Sequence, residues 1–123
     1  IHARRGDYAT YLDGIHYHSW ESYLIWANQT KKVIVNSGKG KVGFVICSDE
    51  KLPSLFRNDK DVYFNSSNEI MVDLHLLSMC DFNLGPPSSF GTWISWFGKV
   101  PRLILNSKTV VTSLDQFKVC VTC

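Results

Sequence analysis

The chain has 123 residues, of which 45% are hydrophobic and 20% charged, and its formal net charge is +2. That length suits one domain with a sizeable core, and the composition is that of a globular chain rather than a disordered one. Its 13 lysines and arginines are scattered, without the basic stripe expected of a nucleic-acid binder, and no apolar run approaches the roughly 20 residues of a membrane-crossing helix.

The first eight residues, Ile1-His2-Ala3-Arg4-Arg5-Gly6-Asp7-Tyr8, set a histidine, two arginines and an aspartate around one glycine. Arginine presents a planar fork of donors that matches phosphate and stays charged at any working pH. A glycine beside it lets the backbone approach a ligand closely. The stretch reads as an anion site or, more blandly, as a surface loop with its arginines paired to Asp7 and Asp13. The chain opens at what reads as the end of a strand, so we expect a piece of a longer protein.

Segment 19–32 carries Trp20, Tyr23, Leu24, Trp26 and Ala27 at helical spacing, with Ser19 as its cap and Glu21 in its first turn. Its aromatic stripe reads as core or domain contact. A glycine-punctuated turn at 39–41 leads into the apolar run 42–47, which suits a strand buried on both faces of a parallel sheet. Pro53 opens a short helix over 53–57, and 62–64 is another short strand. Segment 69–80 turns helical, with Ile70, Met71, Leu74 and Leu77 on its packed face. A strand follows at 82–84, then a break at Gly85-Pro86-Pro87, a helix from Ser88 to Phe97 and a last strand over 101–105. The tail after Lys108 carries mixed signals and is not placed. Alternation of strands and helices predicts βαβ units in an α/β fold, a three-layer Rossmann-like parallel sheet.

Of the four cysteines, Cys47 and Cys80 sit in apolar segments, where a free thiol behaves as a small core residue. Cys120 and Cys123 have zinc-like spacing but no second pair of ligands, so no metal is expected. The usage suits a reducing compartment, while two sequons, at Asn28 and Asn65, lean the other way.

In open α/β sheets ligands bind beyond the carboxyl ends of the strands. The loop of Arg4 and Arg5, the Ser48-Asp49 pair and the Pro87-Ser88-Ser89 turn all follow predicted strands, so they converge on one crevice. Ser88 and Ser89 open a helix whose free N–H groups favour phosphate, with simple capping as the plainer reading. Thr92 lies one turn further in, where it adds a hydroxyl or merely packs. Asp73 and His75 stand in an apolar helix, where a carboxylate must find partners or face a cleft.

His2-x-Arg4-Arg5-Gly6-Asp7-Tyr8 resembles the signature of α-1,2-fucosyltransferases and their bacterial polysaccharide-synthesis relatives, and more loosely that of the α-1,6- and protein O-fucosyltransferases. Asp73-Leu74-His75-Leu76-Leu77-Ser78, continued by Gly85 through Ser88, Ser89, Phe90 and Thr92, is similar to a second motif of that family. Cys47-Ser48-Asp49-Glu50 is similar to a third, which ends a strand. The three stand in the family's order, from residue 1 to about residue 105.

The resemblance implies the donor half of an inverting fucosyltransferase of GT-B architecture, which moves fucose from GDP-fucose to a glycan hydroxyl in polysaccharide biosynthesis. It implies no cofactor and no metal. The partners would be the nucleotide-sugar donor, a glycan acceptor and the acceptor domain of the parent chain, with peripheral membrane association of that parent. A bacterial chain would work in the cytoplasm at the inner membrane face, a eukaryotic one in the Golgi lumen. Arg4 or Arg5 would stabilise the leaving diphosphate, Asp73 would accept guanine's N–H groups, and His2 would contact the ribose or base. Asp49, His75, Ser88, Ser89, Phe90 and Thr92 would complete the donor site. Asp7 and Asp13 are the candidates for a general base. The related α-1,6 enzymes carry a glutamate where Leu12 stands here, which leaves the base unassigned. The runners-up are a non-catalytic nucleotide-sugar-binding module and a transferase using another GDP-sugar.

Overall fold

The structure is a computed structural model and describes residues 1–56, 59–65 and 69–120. Five short strands, all parallel within their sheets, form its centre: β1 (His2–Ala3), β2 (Phe44–Ser48) and β3 (Val62–Asn65) in one sheet, β4 (Asn83–Gly85) and β5 (Arg102–Ile104) in another. In the first sheet β2 lies between β1 and β3, with Cys47 opposite both His2 and Asn65. β4 runs beside the free edge of β1. A Cβ on Gly85 would stand only 3.0 Å from the His2 carbonyl oxygen, so the missing side chain is what lets the two strands close up. The spatial order is therefore β3, β2, β1, β4, β5, and the direction of winding reverses between β1 and β4. A Rossmann-like domain has such an order.

Three helices join the strands: α1 (Trp20–Asn36), α2 (Ile70–Ser78) and α3 (Ser89–Gly98). Ser19 caps α1 as expected, its hydroxyl oxygen accepting from the Ser22 amide at 3.1 Å. The aromatic stripe of α1 is core: Trp20, Tyr23 and Trp26 are buried in one cluster with Ile1, Ala3, Ile46 and Leu84. Each such ring buries enough apolar surface to stabilise by roughly 1.5–3 kcal/mol. Ile46 and Cys47 are neighbours in β2 and point to opposite faces. Cys47 joins a second cluster with Leu77 of α2 and Ile94 of α3. One side of β2 thus meets α1 and the other meets α2 and α3.

Several expectations change at this level. α1 runs four residues past 32, because Lys31 to Asn36 supply no breaker before Gly38. The segment at 53–57 holds only a 3-10 turn, Ser54–Phe56, with residue 57 outside the described residues. On α2 the packed face is Asp73, Leu74 and Leu77; Ile70 and Met71 are exposed, since it is Leu74 and Leu77 that pack against Cys47 of β2 and Ile94 of α3. The tail is part of the core. Val111 and Phe117 are buried, Trp26 donates its indole N–H to the Thr109 carbonyl at 2.9 Å, and Lys118 exchanges backbone hydrogen bonds with Arg102 of β5. Asn65, in one of the sequons, is buried with its amide donating to Asp73, which is no place for a glycan.

Candidate functional site

Two depressions open at the carboxyl ends of the strands. The first, about 350 Å³, is lined by His2, Arg4, Asp7, Ser48, Asp49, Ile70, Asp73 and Phe90. The second, about 570 Å³, is lined by Arg4, Asp7, Tyr8, Tyr11, His16, Pro87, Ser88, Ser89, Thr92, Arg102 and Ile104. Arg4 and Asp7 belong to both and form the wall between them. A depression of about 630 Å³ lies at the other end of the strands, around residues 39–45 and 80–82. Volume favours that one, yet the winding reversal and the polar side chains are at the carboxyl ends, where open α/β sheets hold ligands.

The loop after β1 is held from below by Asp49, which follows β2. Its carboxylate accepts from the amides of Arg5 at 3.0 Å and Gly6 at 2.6 Å. Any Cβ on Gly6 would overlap that carboxylate, which explains the glycine. The hydroxyl of Tyr8 donates to the Pro87 carbonyl at 2.5 Å and ties the same loop to the turn before α3. Arg4 is half-buried, stacks over the Tyr8 ring at 4.7 Å and meets Asp7 in a two-pronged pair, Nη2 to Oδ2 at 2.8 Å and Nε to Oδ1 at 3.2 Å. The hydrogen bond from Arg4 holds the Asp7 carboxyl below the usual carboxylate range. A carboxylate so held is a weak base.

Arg5 turns inward. It is buried; its Nε donates to Glu50 at 2.9 Å, its Nη2 to the Tyr17 hydroxyl at 2.7 Å and its Nη1 to the His18 carbonyl. The guanidinium also packs over the Tyr17 and Trp20 rings. It lines neither depression, so the arginine pair expected to act together is divided between crevice and core. Asp13 and His75 lie outside as well. Asp13 is exposed on a turn at φ 58°, and His75 is exposed on α2.

The structure does bring together His2, Arg4, Asp7, Asp49, Asp73 and Phe90 in the first depression, and Ser88, Ser89 and Thr92 in the second. Asp73 is buried and accepts from the Asn65 amide at 2.5 Å. The His2 ring lies 4.6 Å from that of Phe90, and its Nδ1 has no partner among the described residues. Burial, reinforced by the positive charges of the Ile1 amino group, Arg4 and Arg102, pushes its pKa down to about 3. It is a neutral imidazole at pH 7, suited to hydrogen bonding rather than to charge pairing. Ser88 caps α3, its hydroxyl oxygen accepting from the Gly91 amide at 2.9 Å, and Thr92 donates its hydroxyl to the Ser88 carbonyl at 3.1 Å.

Arg102 went unnoticed in the sequence. It stands at the start of β5, buried, and lines the second depression. The one signal was an arginine inside an otherwise apolar strand run. Tyr11 and His16, on the turns after β1, were missed because nothing in their spacing marks them.

No protein-family model, no curated protein and no solved structure matches the chain. Among the described residues no group of three or more His, Cys, Asp or Glu side chains is placed to hold a metal ion, and no helix is long and apolar enough to cross a membrane.

Proposed function

We propose that the chain is the donor-binding domain of an inverting fucosyltransferase of GT-B type, a three-layer Rossmann-like half that holds GDP-fucose at the carboxyl ends of its strands. The observation that carries the reading is convergence. The three stretches that resemble fucosyltransferase motifs, far apart in the chain, supply seven of the eight residues lining one depression, all but Ile70. Asp73 faces that depression as an acceptor for guanine's N1–H and amino group, with His2 and Phe90 beside it. The diphosphate crosses Arg4 into the neighbouring depression, toward the first turn of α3, where free N–H groups and the helix dipole favour negative charge. In transfer, the fixed charge of Arg4 stabilises the diphosphate as it leaves. Arg5 has no part in this except to hold the loop. With Asp7 paired and Asp13 turned away, the base for the acceptor hydroxyl belongs to the acceptor half of the parent chain.

Titration calorimetry with GDP, UDP and ADP tests the reading. GDP is expected to bind at least about tenfold more tightly than the other two, a difference worth about 1.4 kcal/mol, and Asp73→Asn is expected to erase that preference. Equal binding of all three nucleotides would sink the guanine assignment and with it the fucosyltransferase reading.

A further inference from the structure

Arg102 has less than a tenth of its surface exposed, and its Nη2 donates to the Pro86 carbonyl at 2.6 Å. Among the described residues its buried Nε has no partner, and no carboxylate lies within ion-pair distance. Burying a cation without an anion is costly, so its position calls for a counter-charge that none of the described residues provides. The guanidinium lies flat against Gly91 in the first turn of α3, where any Cβ would overlap it. Gly91 gives its amide to Ser88, while the amides of Ser89 and Phe90 have no partner among the described residues. The guanidinium and the open Ser89 amide therefore stand at one corner of the second depression, while Phe90 lines the first. Asp7 is the carboxylate lining that depression, and it is neutralised by Arg4.

We propose that Arg102 and the first turn of α3 form the phosphate subsite of this crevice, with Arg102 a ligand-binding residue. Naming its occupant the diphosphate of a guanine nucleotide rests on the function proposed above; the anion subsite rests on Arg102 itself. Ser89 and Thr92 of α3 also line that depression.

The test is calorimetry with inorganic pyrophosphate, with guanosine and with GDP on the unsubstituted chain, Arg102→Lys and Gly91→Ala. Lysine keeps the charge but loses the planar fork. Alanine at 91 suits a helix and leaves Arg102 in the chain while pushing its guanidinium from its seat. Thermal melting identifies any variant that fails to fold, and Gly91→Ala decides the outcome if Arg102→Lys is unfolded. Pyrophosphate is expected to bind the unsubstituted chain and to bind both variants about tenfold or more weakly, with guanosine affinity unchanged. Unchanged pyrophosphate binding in folded Gly91→Ala, or none by the unsubstituted chain, overturns the subsite. Pyrophosphate binding that depends on Arg102, with GDP no tighter than pyrophosphate, upholds the subsite and defeats the guanine reading instead.

Discussion

Arg4 and Arg5 share a peptide bond and do different work. Arg4 is accessible, paired with the exposed Asp7, and borders both depressions. Exposed pairs add little to stability, so Arg4→Ala is expected to leave the melting curve nearly unchanged and to weaken GDP binding about tenfold or more. Arg5 locks the Tyr17–Trp20 stretch against Glu50, and its removal leaves the His18 carbonyl and Tyr17 hydroxyl without their donor. Arg5→Ala is expected to lose about 2–4 kcal/mol in urea unfolding, and Arg5→Lys to recover little of it. Equal stability of the two alanine variants would refute this division. The sequence made the pair conspicuous but not its division. Which guanidinium turns inward depends on Glu50, Tyr17 and His18, and their approach is a matter of tertiary packing.

Among the elements, α3 matters most to the site because its first turn faces the crevice. Its far end is strained: Lys99 closes the helix in the left-handed region at φ 54° and ψ 39°, a conformation that glycine adopts freely. Lys99→Gly is expected to raise stability by about 0.5–1 kcal/mol without altering nucleotide binding, as read by urea unfolding and calorimetry. A loss of stability would mean that the Lys99 side chain holds the end of the helix. Helices and strands were legible in their order and type, because Ser19 and Ser88 cap helices and the short, continuous apolar run before Ser48, preceded by a glycine-rich turn, matches a buried strand. The packed face of α2 was not. Ile70 and Met71 fit a helical stripe as well as Leu77 does, and only where β2 and α3 pack decides which of them is covered. The tail was illegible because its contacts with Trp26, Gln29 and Arg102 all span long stretches of sequence.

Across the whole molecule, the buried imidazoles couple stability to pH. Burial lowers the pKa of His2 to about 3 and also lowers that of His18. The unfolded chain takes up these protons near pH 6.5, while the folded chain refuses the one on His2 until about pH 3. Between those values the unfolded state binds more protons, so stability is full above pH 6.5 and falls as the pH drops toward 3. The melting temperature is therefore expected to be lower at pH 5 than at pH 8 and to recover in part in His2→Phe. A flat profile would mean that neither ring is desolvated.

Everything proposed for the crevice requires the loops after β1, β2 and β4 to meet on one ligand, and amide-resolved NMR titration with GDP is the decisive experiment. Shifts are expected at Arg5 to Asp7, at Asp49 and at Ser89 to Gly91, with residues 39–45 at the other end of the strands unmoved. Shifts confined to that other end, or to only one of the three loops, would contradict the shared site.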